Sequence, residues 1–321
     1  MKTFIDQLAR HPFLRNLDEH ALQVAAEGAE EVRFNPGEVI FQENEPANRF
    51  YLIEEGRVAL EARSEPNGRV IQQIGSGDVL GWSWLFPPFA WVFRARALAP
   101  TRAISLDGGH LLVASEENYD FGYDLMKRIV QVVIERLQAA RQQLIESGAD
   151  RWVPSILSAE KTVEVPENVQ AAIGHHPFFA GMSAEQLRLL AKHAMRVQFE
   201  PGQIVFKTGD PANRFYLIEH GRVALEAPSE QGPVLIQIIG EGDVLGWSWL
   251  FEPYLWHFDA RALQPVSAIF FYGTPLREGL EGDHELGYAL MRRISQVVIQ
   301  RLQATRKHLI GAELQPQSLV P

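Results

Sequence analysis

The residues in this chain best suited to chemistry are aromatic, and they are concentrated in two places. The segments Gly77–Ala97 (GDVLGWSWLFPPFAWVFRARA) and Gly242–Ala262 (GDVLGWSWLFEPYLWHFDARA) hold six of the seven tryptophans. The first carries Trp82, Trp84, Phe86, Phe89, Trp91 and Phe93, and the second Trp247, Trp249, Phe251, Tyr254, Trp256 and Phe258. Flat aromatic faces do no bond-making chemistry, but they stack and bury apolar area. Three roles stay open: core filler, a pocket for a small apolar or aromatic ligand, or a patch that docks a partner protein or a membrane surface. The candidate ligand-binding set is Gly81, Trp82, Ser83, Trp84, Trp91 and Arg96, with Gly246, Trp247, Ser248, Trp249, Trp256 and Arg261. Arg96 and Arg261 recur in both segments, as anion ligands or as surface or salt-bridged arginines. Arg94 becomes Asp259, so it is no shared ligand.

No catalytic constellation accompanies them. The first half has only His11, His20 and His110, outside the central β pattern, which argues against a metal-binding barrel with clustered histidines. His257 and His284 have no histidine partner in that half. Phosphate-cradling Gly-rich loops of the Walker or Rossmann type are missing. With no cysteine there is no disulfide, thiol nucleophile or Cys zinc site. The expectation is a non-enzymatic protein without cofactor or metal.

The elements that position the aromatics come twice. PANRFYLIE stands at Pro46–Glu54 and Pro211–Glu219, GRVALEA at Gly56–Ala62 and Gly221–Ala227, and GDVLGWSWLF at Gly77–Phe86 and Gly242–Phe251, always 165 residues apart. The match runs ungapped from His11/His176 to Ile145/Ile310, so one fold is duplicated. The expected organisation is a first domain over 1–147, a linker over 148–174, a second domain over 175–312 and a tail over 313–321. Extended, the linker reaches roughly 90 Å.

Each copy opens on a helical region, Pro12–Ala29 in the first, with Asp18 as N-cap. Short β-rich runs follow at Glu38–Phe41, Arg49–Glu54, Arg57–Ala62, Val70–Ile74 and Arg102–Leu106, parted by Pro-Gly, Asn-Gly and Gly-rich turns. Many short strands imply a sandwich, jelly roll or barrel. A long helix over about Glu116–Ile145 closes the copy. Met126, Val130, Val133, Leu137, Ala140 and Leu144 form a heptad seam, matched by Met291, Ser295, Val298, Leu302, Thr305 and Leu309. The fold class is mainly β with flanking helices: two tandem double-stranded β-helix (jelly-roll) domains, each followed by a long C-terminal helix.

Phe34–Leu60 (FNPGEVIFQENEPANRFYLIEEGRVAL) and Phe199–Leu225 (FEPGQIVFKTGDPANRFYLIEHGRVAL) resemble the cyclic-nucleotide-binding domain of the catabolite activator family. The resemblance covers nearly all of both copies. It implies a cassette that offers backbone N–H groups, a Glu for a ribose hydroxyl and an Arg for a cyclic phosphate. Here the Glu position falls on Trp82 and Trp247, and the Arg position at or beside Trp91 and Trp256. A phosphate would then lack its cation in a partly desolvated site, so neither copy is expected to bind cyclic AMP. The family's transcription factors carry a helix-turn-helix after the long helix, and none is expected here. With a net charge of −10, nucleic-acid binding is not expected.

The function read from the sequence is a regulatory module that binds a small molecule in altered, Trp-rich pockets. The alternative is a scaffold or assembly subunit that uses its aromatic cassettes as an interface. A protein partner is expected, with the long helices pairing as an intramolecular pseudo-dimer or a homodimer. Met1–Arg10 contains no apolar leader core and no apolar run is long enough to span a bilayer, so a cytoplasmic location is expected.

Overall fold

A computed structural model describes residues 2–62, 69–146, 168–228 and 232–309. The chain divides into two compact units: unit 1 holds 1–133 and the segment from Ile299 onward, and unit 2 runs from Ile134 to Val298. Unit 1 contains α1 (Lys2–Arg10), α2 (Glu19–Ala26), β1 (Glu30–Phe34), β2 (Val39–Phe41), β3 (Arg49–Glu55), β4 (Arg57–Ala62), β5 (Arg69–Gly75), β6 (Val79–Leu80), β7 (Arg94–Ala97), β8 (Thr101–Asp107), α3 (Gly108–Glu117) and the start of α4 (Tyr119–Glu146). Unit 2 contains the end of α4, then α5 (Val169–His175), α6 (Ala184–Ala191), β9 (Ala194–Phe199), β10 (Ile204–Phe206), β11 (Arg214–His220), β12 (Val223–Ala227), β13 (Val234–Ile239), β14 (Val244–Leu245), β15 (Asp259–Ala262), β16 (Val266–Tyr272), α7 (Gly273–Gly282) and the start of α8 (His284–Leu309).

Each copy folds its strands into two antiparallel four-stranded sheets, ordered β1-β8-β3-β6 and β2-β7-β4-β5 in the first and β9-β16-β11-β14 and β10-β15-β12-β13 in the second. The near-continuous apolar run of β3 has a simple cause: both faces of that strand are covered. Tyr51 and Ile53 point into the core inside the roll, with Val58, Leu60 and Ile74. Phe50, on the opposite face, meets Phe13 edge-on at 5.3 Å.

Asp18 caps α2 as expected, its carboxylate accepting from the Ala21 N–H at 2.7 Å. Other boundaries differ from the sequence reading. Residues 12–16 form turns, and α1 lies before them. The expected single closing helix is broken at Asn118, whose side chain accepts from the Phe121 N–H at 3.1 Å and so starts α4 afresh. Strands β1, β6 and β7 were not among the expected runs. Residues 169–174, read as linker, belong to α5, because the Asn168 side chain caps the Gln170 and Ala171 N–H groups. Residues 148–167 of the expected linker, and the expected tail, lie outside the described residues.

The seam residues Met126, Val130, Val133, Leu137 and Ala140 are buried, as are Met291, Ser295, Val298, Leu302 and Thr305. The two polar members are satisfied on their own helix: Ser295 donates to the Arg292 carbonyl and Thr305 to the Arg301 carbonyl. Among the described residues, no helix is long and apolar enough to cross a membrane.

Candidate functional site

The cassette of copy one leaves β6 at Gly81, turns through a 3-10 stretch at Ser83–Leu85, and re-enters the roll at Trp91 before β7. Gly81 has φ +85°, and a Cβ there would stand 2.9 Å from the Trp91 ring. Gly246 repeats this with φ +83° and a 2.7 Å approach to Trp256. Glycine serves here for both reasons at once: left-handed backbone and the space an indole needs.

Trp91 belongs to the core of the roll and is only 4% exposed. Its ring stacks on Phe41 at 3.9 Å with planes 13° apart, and Phe41 stacks in turn on Tyr51 at 6.2 Å. Trp256 stacks on Phe206 at 3.9 Å and 10°. Trp84 and Trp249 go elsewhere. Each packs against the first residue of the following helix, where a Cβ on Gly108 or Gly273 would come within 3 Å of the indole side chain. Trp84 also meets Phe50 edge-on at 6.2 Å. The indole N–H groups of Trp84 and Trp249 are buried without hydrogen-bond partners among the described residues.

Trp82 and Trp247 are buried at the start of the 3-10 turns, and guanidinium groups cover aromatic faces of both cassettes. In unit 2, Arg141 lies over Phe258 at 4.6 Å and Trp247 at 5.6 Å. In unit 1, Arg306 lies over Phe93 at 5.7 Å and donates to the Gln72 side chain. Both arginines are buried. They stand 165 residues apart, as repeat partners do, so each unit's cassette is covered by a helix segment encoded in the other copy.

Arg96 is committed to an ion pair. Its Nε donates to Glu61 Oε1 at 2.9 Å, while Arg94 Nε donates to Oε2 at 2.8 Å. Glu61 is fully buried. Burial pushes its carboxyl up, but the hydrogen bonds from Arg96 and Arg94 prevail and hold it below the usual carboxylate value. In copy two, Arg261 Nε donates to Glu226 at 3.1 Å, and Asp259 instead accepts from the Thr208 N–H at 2.8 Å. Ser83 and Ser248 also differ in setting. Ser248 Oγ lies 3.2 Å from His257 Nδ1, whereas copy one has Val92 at the histidine position.

Sequence reasoning missed Phe41 and Phe206, Glu61 and Glu226, and Arg141 and Arg306. All six are identical between copies, and that identity was the available signal. Among the described residues, no group of His, Cys, Asp or Glu is arranged to hold a metal ion.

Two antiparallel sheets closed by a Gly-led cassette, with a helix after the last strand, define a β-roll domain in each copy. The chain belongs to the cyclic nucleotide-binding domain family, whose profile matches residues 31–118 and 196–283. It is 28% identical over 132 residues to the CRP-like cAMP-activated global transcriptional regulator of Mycobacterium tuberculosis, covering 41% of this chain and 57% of that one. It is 26% identical over 110 residues to the cAMP-dependent protein kinase regulatory subunit of Dictyostelium discoideum, covering 33% and 34%. Each match spans less than two thirds of the relative's length. Among solved structures, the regulatory domain of Toxoplasma gondii PKA with cAMP aligns over 89% of this chain and 94% of its own, at 13% identity and a TM-score of 0.33.

Proposed function

We propose that this chain is a non-enzymatic regulatory or assembly module whose two nucleotide pockets are filled by its own side chains, so that it acts without cyclic AMP. The observation that carries this reading is the stacked pair inside each roll, Trp91 on Phe41 and Trp256 on Phe206. An indole occupies the place where the family resemblance puts a phosphate-binding cation. The shared cation on the following strand, Arg96 or Arg261, is held by a buried glutamate. A ligand would have to displace the stack without a free cation to receive its phosphate.

The sequence left open a pocket for a small apolar or aromatic ligand and an interface built from the cassettes. Burial of Trp82, Trp84, Trp91 and their repeats favours the filled core over both. Of the cassette aromatics, Phe89 is the large one left exposed in copy one, which is too little for a membrane patch. The site residues are therefore read as structural: Gly81 and Gly246 make room, the tryptophans fill, and Arg96 and Arg261 neutralise buried acids.

A protein partner is proposed, supported by the Dictyostelium relative, which by name is a regulatory subunit. The long helices are proposed to pair, within one chain or between two, supported by the burial of their seam residues. A cytoplasmic location fits the absence of cysteine. Native mass spectrometry of the purified chain tests the main reading. The expected spectrum is the bare polypeptide mass, and a retained nucleotide or other small molecule in stoichiometric amount would contradict it.

A further inference from the structure

The two copies diverge at one rim of the roll, and copy one serves as an internal control. There, Arg49 on β3 pairs with Glu30 on β1 at 3.2 Å. Asp107, at the end of β8, caps α3 by accepting from the His110 N–H at 2.8 Å. In copy two Glu30 becomes Met195 and Asp107 becomes Tyr272. Tyr272 gives α7 no side-chain cap. Met195 is 52% exposed and Tyr272 42% exposed. Arg214, the repeat partner of Arg49, lies over the rings of Phe270 at 4.7 Å and Tyr272 at 5.9 Å. Its Nε is buried without a hydrogen-bond partner among the described residues, while the guanidinium hydrogen-bonds the Tyr216 side chain. Strand register pairs Arg214 with Tyr272 and Phe270 with Met195, so all four share one face.

Copy two has thus given up an ion pair and a helix cap and exposes a thioether and a phenol in their place. Selection for stability alone runs the other way. The strand concerned, β9, is the outer strand of its sheet. Its counterpart β1 carries Glu30, Glu31 and Arg33, charges that discourage an added partner.

We propose that the Met195–Tyr272–Arg214 face of unit 2 docks a protein segment that presents a carboxylate beside an apolar side chain. The carboxylate is argued from charge: Arg214 receives in trans what Arg49 receives from Glu30 in cis. The apolar neighbour is argued from Met195 and Tyr272, residue types that, with Arg, concentrate at interface cores. Phe270 on this face belongs to the same core cluster as Trp256, and the docking proposed uses the exposed rim, where Met195 and Tyr272 lie.

A phage-displayed random peptide library panned on the intact chain tests the proposal. Selected peptides are expected to carry Asp or Glu within two or so residues of Leu, Ile or Phe. A synthetic peptide of that type should lose about tenfold or more in affinity on Arg214→Gln. It should lose as much when Met195→Glu is combined with Tyr272→Asp. That double change restores the copy-one residues, so its melting temperature should rise, which separates lost docking from lost folding. Arg49→Gln, the matched control in copy one, should leave binding unchanged. Selected peptides without acidic residues, or binding indifferent to these changes, would overturn the proposal. Self-association abolished by the double change would make a second copy of the chain the occupant and overturn it too. So would vesicle binding abolished by that change, which would assign the face to lipid.

Discussion

Trp91 lies flat on Phe41 inside the first roll, with ring centroids 3.9 Å apart, and Trp256 repeats the contact with Phe206 to the same distance. A contact kept twice in one chain is built into the fold. Two rings at van der Waals distance gain dispersion energy and apolar burial.

Removing the plug should weaken the roll. Trp91→Ala deletes a buried indole from a close-packed core and leaves Phe41 without its stacking partner. The expected loss is about 3–5 kcal/mol. Urea unfolding of the variant measures it. A loss below about 1 kcal/mol would mean that the indole is a movable lid and not core.

The guanidinium over the second cassette should matter as a cation. Arg141→Met keeps most of the stem's apolar cover and removes the charge over Phe258 and Trp247. A desolvated cation–π contact is worth about 2 kcal/mol, so a drop of that order is expected in thermal unfolding. Faster hydrogen exchange should follow in the cassette of unit 2. Exchange unchanged there would show that Arg141 is only a spacer.

Glu61 makes acid stability testable. Its folded value lies below the ordinary 4.5 through its arginine partners, despite burial. The group therefore contributes stability in full above the unfolded value, and that contribution is lost as pH falls through the folded value. Glu61→Gln should cost about 1–3 kcal/mol at neutral pH by leaving two guanidinium groups short of an acceptor. Below about pH 4 the gap between variant and parent should close. A constant gap down to pH 2.5 or so would contradict the assignment.

His11 and His176 add a second acid limb at higher pH. Desolvation lowers both below the ordinary 6.5 and outweighs the backbone hydrogen bonds that raise them. Neutral imidazole is the folded form, so stability is full above the unfolded value and declines as pH drops from about 6.5 through the folded value. Each group adds a slope of up to about 1.4 kcal/mol per pH unit in that window. Stability curves of His11→Asn and His176→Asn should be flatter between pH 6.5 and 5 or so than the parent's. Parallel curves would show that the rings take up protons freely in the folded chain.

Much of this arrangement was legible in the residues. The repeat gave the duplicated fold, the turn glycines gave the strand breaks, and the tryptophan count located the cassettes. Asp18 read correctly as a cap because capping is local: donor and acceptor lie within one turn. The Trp91–Phe41 stack was not legible, since fifty residues separate the rings and only the closed roll brings them together. The burial of Glu61 was not legible either, since its partners Arg94 and Arg96 lie more than thirty residues on and reach it only through the paired strands. The break at Asn118 was hidden by apolar periodicity on both sides of it. Arg141 stood one residue from the seam, and nothing local tells which ring a guanidinium will cover.

The central claim is that both pockets are closed by the chain itself, and calorimetric titration of cyclic AMP into the intact protein tests it most directly. The account predicts no saturable heat up to millimolar nucleotide or so, and none after Trp82→Glu, because the phosphate still meets an indole and not a cation. A micromolar dissociation constant at either copy would contradict it.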